Sequence, residues 1–392
     1  MYFCTVKLNY SKNFWLLCWA LLFFMTSFNL IVPKLNDFLS ELGGEDYKGW
    51  IFLLFSISAA ISRPFSGKLA DTIGRKKVMY IGVLIGLLTG ISYPLSGTVL
   101  VFFAFRFSHG FSAGFLPTGA TALVTDLIPE NKRGVAMGIW GTFMSVGFGV
   151  GNYFANTIFT HLGYAGLYLI AAGFCLLAGI MIFFISETLP NPQKFHPRLL
   201  SVRFNDIFEP SVRPAAFVML CATVSTGFIF VTSSDISRYL GIENQGHFFL
   251  FYMISTILVR LFAGRLSDVI GRRKSMLIGF GFLILSMTMI ATATEWIQYT
   301  IAATLFGVST GINSPTVFAW MADLCPADRR GVGSGTVFIA LEFGIIIGAA
   351  ISLGIYDNTM ASLHALFFIG AAAALVAAAY LLWHLSRFSS KT

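Results

Sequence analysis

Gly67-Lys68-Leu69-Ala70-Asp71-Thr72-Ile73-Gly74-Arg75-Lys76-Lys77 lies between two long apolar runs. That setting makes it a short charged turn between two membrane helices. Its glycines permit a tight turn and a close helix approach that larger side chains would block. Asp71 and Arg75 stand where the chain leaves the apolar run, so they can ionise and pair beside a helix end. The stretch returns 197 residues later as Gly264-Arg265-Leu266-Ser267-Asp268-Val269-Ile270-Gly271-Arg272-Arg273-Lys274. Arg63 and Arg260, Gly110 and Gly307, Gly114 and Gly311, Asp126 and Asp323, and Gly138 and Gly335 keep the same offset, as do Arg133-Gly134 and Arg330-Gly331. Between Arg63 and Gly82, 12 of 20 positions match their counterparts, which is too long a gapless repeat for chance. The chain is a duplicated half, and parallel repeats of this kind are a transporter architecture.

Composition leads to the membrane independently. Hydrophobic residues make up 56% of the 392 and charged residues only 11%, far from soluble averages. Twelve spans of about 20 residues fit this length. They are expected near 14–38, 47–70, 77–96, 99–124, 134–157, 165–186, 213–237, 246–267, 275–293, 296–322, 331–355 and 361–384. Lipid offers the backbone no partner, so each must be helical. The net charge of +8 would fit a nucleic-acid binder, but its placement decides otherwise: with loops assigned alternately, 20 of 26 Lys and Arg fall on one side. That asymmetry puts both termini in the cytoplasm and the basic side chains among anionic headgroups. Trp15, Trp50, Trp296 and Trp383 lie near expected helix ends, as an interfacial belt requires. The five cysteines (Cys4, Cys18, Cys175, Cys221, Cys325) show no metal-ligand spacing, so neither disulfide nor metal is expected. Lys7 and Lys12 precede a first span too long for a signal-peptide core, which is therefore retained.

The Gly-x-Leu-Ala-Asp-x-x-Gly-Arg-Lys-Lys turn closely resembles the signature loop of the major facilitator superfamily, and the resemblance covers essentially the whole chain. It implies an all-α membrane protein with twelve transmembrane helices in two pseudo-symmetric six-helix bundles around a cavity, working by alternating access. The expected division is an N-terminal bundle at 1–188, a cytoplasmic linker at 189–212 and a C-terminal bundle at 213–392. In that family an acid after the fourth helix joins the signature Asp and Arg in a charge cluster, and Asp71, Arg75 and Asp126 occupy those positions. With Gly67, Gly74 and the repeat-related Gly264, Asp268, Gly271, Arg272 and Asp323, they form the expected conformational latch. Asp71 is expected beside the amino end of the eleventh helix, where the dipole and free amides favour an anion. The second loop is expected to matter less for coupling, because the halves divide their polar residues unequally. Arg106-Phe107-Ser108-His109-Gly110 resembles the family's second motif, whose arginine is linked to proton transfer. Gly138, Gly147 and Gly151 are spaced as in drug/proton antiporters, but Asn152 replaces that motif's proline and Ala155-Asn156 its paired glycines.

Polar residues inside the spans are costly and mark function or packing. Asn29 is either a substrate contact or an interhelical hydrogen bond. Arg63 and Arg260, one turn before the two loops, are expected to snorkel to the interface. Arg106 has Ala303 as its repeat partner, so symmetry does not demand it. His109, three residues on, shares its face and suits a proton relay. Glu342 sits in a run of Gly, Ala, Ile, Val and Phe, with Ser145 as counterpart. It is the expected proton-coupling carboxylate, controlled by Arg106 and His109 from the opposite bundle. Lys34 and Asp37 are expected to pair on a helix surface, and Asp235 with Arg238 near the outer end. Asn313 and Pro315 should permit bending of the tenth span.

No Gly-x-x-x-x-Gly-Lys-[Ser/Thr] loop occurs, and Gly331-x-Gly333-x-Gly335 opens a membrane helix, so no nucleotide cofactor is implied. The expected protein is no enzyme but a proton-coupled secondary transporter in the inner membrane, exporting small organic or amphipathic solutes. Its partners are a small-molecule substrate, protons and the lipid bilayer, with no nucleic acid and no cofactor, and it is expected to act as a monomer. Proton-coupled uptake is the rival. A non-transporting sensor or scaffold would have no reason to carry charges in its spans.

Overall fold

Apolar runs of this length can satisfy their backbone in lipid only as helices, and the computed structural model, which describes residues 10–242, 246–357 and 359–388, places helices throughout. Cys4 and Lys7 lie outside the described residues. The long helices are α1 (Lys12–Ile31), α2 (Lys48–Thr72), α3 (Arg75–Ser92), α4 (Val99–Leu127), α5 and α6 within Arg133–Phe183, α7 (Arg213–Tyr239), α8 (His247–Ile270), α9 (Arg272–Ala291), α10 (Trp296–Leu324), α11 (Arg330–Ile355) and α12 (Met360–Phe388). Gly163, at φ 62° and ψ −168°, breaks Arg133–Phe183 into α5 (133–162) and α6 (164–183). Nine described stretches are apolar enough to span a membrane alone, one of them holding both α5 and α6. Adding α8, whose two bent arms must be taken together, and the more polar α10 gives twelve.

Differences from the expected spans follow local chemistry. The first apolar stretch runs Lys12–Glu41, but its α-helix ends at Ile31, because Pro33 opens a 3-10 turn, Val32–Lys34, before a short helix at Leu35–Glu41. Proline has no N–H and its ring clashes with the preceding turn. Lys34 and Asp37 do pair there, at 3.4 Å. Pro315 stays inside a continuous α10, where Asn313 donates to Ser309 Oγ at 3.2 Å.

α1–α6 and α7–α12 form two six-helix bundles related by the repeat. They join where α2 packs on α11 and α5 on α8. The contact is backbone on backbone. A Cβ on Gly67 would lie 2.9 Å from the Gly331 carbonyl and 3.1 Å from Val332 Cα, and one on Gly138 would lie 2.8 Å from the Arg260 carbonyl. Within the bundles, Gly147 and Gly151 bring α5 against α1, and Gly344 and Gly348, 197 residues on, bring α11 against α7. Gly74 and Gly271 turn α2 into α3 and α8 into α9 at φ 121° and 90°, a region that other residues rarely adopt.

Residues 187–209 run across the end of the molecule that carries these turns, here called the basic end. Within it the chain makes one helical turn, Phe204–Ile207. Glu187 accepts from the Arg75 and Lys76 amides, both at 3.0 Å, and caps α3. Lys68 donates to the Ser201 carbonyl at 2.7 Å and to Asp206 at 2.9 Å. On the other half, Glu209 pairs with Arg329, and its amide donates to Thr336 Oγ1 at 3.0 Å. The segment is thus pinned to both bundles. Burial opposes ionisation of Glu209, but the Arg329 guanidinium and the Ser211 donors outweigh it and hold the carboxyl below the usual carboxylate range.

Two outcomes are expected. Gly67→Ala forces α2 from α11 and should cost about 1–3 kcal/mol, the usual range for overpacking. Gly173→Ala, with nothing within 4 Å of its Cβ, should not; thermal midpoints in detergent decide. Because the Glu209 carboxyl is depressed, its contribution is complete at neutral pH and disappears as pH falls through the lowered value. Proteolysis of the 187–209 segment should therefore accelerate on acidification, and Glu209→Gln should be fast at every pH.

Candidate functional site

Two layers of charge run between the bundles. The first closes the basic end. Asp71 accepts from the Gly331 and Val332 amides at 2.7 and 2.8 Å, at the amino end of α11. Those amides have no partner inside their own helix, and the dipole there favours an anion. Arg75 donates to Asp71 at 2.6 Å and to Asp126 at 3.2 Å, and Arg330 from the other half reaches Asp126 at 2.6 Å. The repeat builds the same figure again. Asp268 accepts from the Gly134 and Val135 amides of α5 at 2.8 and 2.9 Å. Arg272 pairs with Asp268 and, at 2.8 Å, with Asp323, which Arg133 reaches at 2.9 Å. Gly67, Gly74, Gly264 and Gly271 supply the close approaches and turns that put these groups in place.

The geometry itself does not rank one loop above the other. Unequal polar residues elsewhere do not weaken the second cluster, because each is made of the same atoms at the same register. Sequence reading also left out Arg133, Arg330 and Glu187. The repeat pair Arg133-Gly134 and Arg330-Gly331 was the signal for the first two, since both arginines open a helix beside an aspartate's target amides.

The second layer lies deeper. Arg63 does not snorkel; it is 3% exposed. Its guanidinium donates to Thr118 Oγ1 at 3.0 Å and meets Glu342 at 3.5 Å, with the Phe338 ring centroid 4.1 Å away. Glu342, on α11, is 8% exposed. Arg260, the counterpart of Arg63, also turns inward, to the Gly141 carbonyl, to Ser145 Oγ at 2.6 Å and to Ser314 Oγ at 3.3 Å. Ser145 is the counterpart of Glu342, so the two arginines make repeat-related contacts across the seam. Both were misplaced in sequence because helix depth does not reveal which way a long side chain turns.

Arg106 and His109 do not reach Glu342, which corrects their expected control of it. Arg106 donates through Nε to the Ile51 carbonyl at 3.1 Å, and its Cζ lies 4.4 Å from the Phe55 ring centroid. Ile51 and Arg63 are twelve residues apart on α2, about 18 Å along the axis at 1.5 Å per residue. His109 packs in the same place, against Phe28, Phe55 and Tyr93. Of the two readings open for Asn29, the structure shows the interhelical hydrogen bond. At 2% exposure, Asn29 donates to the Met25 carbonyl at 2.8 Å and accepts from Asn152 at 3.4 Å. Asn152, where the antiporter motif has proline, thereby ties α5 to α1. At the far end, Asp235 meets Arg238 at 3.4 Å and accepts from Tyr356 at 2.9 Å.

With matched clusters, Asp71→Asn and Asp268→Asn should loosen the basic end to a similar degree. Removing one member of a buried ion pair costs about 3–5 kcal/mol. Spin-label distances across α2–α11 and α5–α8 should broaden in both variants. A change confined to Asp71→Asn would support the unequal ranking.

The sequence profile described as Major Facilitator Superfamily matches residues 17–232 and 215–392. A Lactococcus lactis protein named multi-drug resistance efflux pump PmrA homolog is 26% identical, covering 89% of this chain and 90% of that one. The multidrug resistance protein MdtG of Yersinia enterocolitica is 27% identical, covering 97% and 95%. Among solved structures, the human organic anion transporter MFSD10 superposes with a TM-score of 0.81 at 18% identity, over 95% of this chain and 100% of that one. The chain belongs to the Major Facilitator Superfamily, and it is a multi-pass membrane transporter, not an enzyme.

Proposed function

We propose that this protein is a proton-coupled secondary transporter that exports small organic or amphipathic solutes across the cytoplasmic membrane by alternating access. The observation that carries the reading is the Arg63–Glu342 pair, an ion pair between the two bundles in the interior of the membrane. Protonation of Glu342 removes its charge and releases Arg63, so proton occupancy and the contact between bundles depend on one another. A carboxylate held by a cation across a moving seam binds its proton differently when the seam opens. Arg106 and His109 sit one layer away and act, if on protons, on a separate step of the path. The Lactococcus lactis relative named as a multi-drug resistance efflux pump supports export.

The paired clusters at the basic end are the conformational latch. They hold the bundles together while the opposite side is open, and they part when the cavity turns to the cytoplasm. The basic end is the cytoplasmic one by its Lys and Arg excess, so both termini and the 187–209 segment face the cytoplasm. Residues 1–188 and 213–392 are the moving bodies, 189–212 is the linker, and the working unit is the monomer. A second reading, proton-coupled uptake, draws on α5, where Asn152 is bonded to Asn29 in place of the exporters' proline.

Glu342→Gln mimics the protonated acid and should abolish accumulation driven by an imposed pH gradient in proteoliposomes, while solute exchange without a gradient persists. Accumulation at the wild-type level would make Glu342 structural. The orientation of the gradient that drives accumulation separates export from uptake.

A further inference from the structure

Arginine is expensive inside a membrane unless an anion meets it. Three buried arginines lie within the described spans away from the end clusters: Arg63, Arg106 and Arg260. Only Arg63 has a carboxylate partner among the described residues. Arg260 is 9% exposed, and its guanidinium lies over Gly141, whose added Cβ would come within 3.3 Å of Cζ. Its donors meet only neutral acceptors, the Gly141 carbonyl and the hydroxyls of Ser145 and Ser314, and its Nε has no partner.

The internal repeat says what is missing. Arg63 and Arg260 are counterparts, and so are Glu342 and Ser145. One half fills the arginine's seat with its own carboxylate. The other offers a serine, whose hydroxyl accepts from Arg260 at 2.6 Å but brings no charge to balance it. Ser145 and Ser314 are half-buried beside the more deeply buried Arg260. Glu342 cannot serve a cationic solute without giving up Arg63, whereas Arg260 is free to accept an anion.

We propose that Arg260, with Ser145 and Ser314, binds the carboxylate of an organic anion, and that organic anions are therefore the transported class. This rests on the transport reading above and narrows its substrate. The ligand's carboxylate takes the place that Glu342 holds in the other half, and the planar guanidinium suits that group with two parallel hydrogen bonds.

The test uses the purified full-length protein in detergent at low chloride, with no gradient, and benzoate as probe. Benzoate should raise the thermal midpoint and bind saturably, while benzyl alcohol, benzylamine and chloride should not. Arg260→Gln should weaken benzoate at least tenfold. Ser145→Glu supplies the missing carboxylate from the chain itself. It should fold, gain thermal stability without ligand and lose benzoate binding to the same extent, so the inference survives even if Arg260→Gln does not fold. Unchanged benzoate affinity in Ser145→Glu, no binding of benzoate, or equal binding of benzylamine or chloride would overturn it. Benzoate that binds through Arg260 but is not carried in proteoliposomes supports the site and counts against the transport reading. Carriage unaffected by Ser145→Glu supports transport and overturns the site.

Discussion

A carboxylate held by the open amino end of a helix from the other bundle is the contact on which this structure turns, and it is used twice. Asp71 takes two amides of α11, and Asp268 takes two amides of α5. Such amides are free of their own helix, so the interaction needs no rearrangement of either partner. It can form only where the helices come close enough, and glycine at Gly67, Gly138, Gly264 and Gly331 permits that. Arginines then neutralise each aspartate, with Arg75 and Arg330 on one side and Arg272 and Arg133 on the other. Each cluster is reinforced by groups from both halves, so neither bundle can close the end alone.

Beneath these clusters the halves stop being equivalent. Both place an arginine at the seam, but only one gives it an acid. The ion pair of Arg63 and Glu342 balances its own charge, while Arg260 relies on serines and a carbonyl. Duplication thus preserved the scaffold and the end clusters, while positions such as Glu342 and Ser145 diverged. A symmetric frame with an asymmetric interior separates the parts that hold two bundles together from the parts that meet protons and solute. The segment at 187–209 adds a tie at the basic end, with Lys68–Asp206 on one bundle and Glu209–Arg329 on the other.

Sequence alone determined the helical membrane class, the twelve spans, the duplication and the signature turns, because each is written locally. Apolar length dictates a span, and a matching glycine, aspartate and arginine at fixed offset dictate a turn. It also marked Arg63, Arg106, Arg260 and Glu342 as out of place in lipid. Only the tertiary structure decided their partners. Glu342 lies 279 residues from Arg63, and whether it meets that residue or Arg106 depends on helix depth, rotation and crossing, none of which a linear pattern encodes. Asn29 became a packing residue for the same reason, since its partner Asn152 comes from another helix. Local chemistry sets which groups must find partners; the packing of antiparallel helices sets which partners they find.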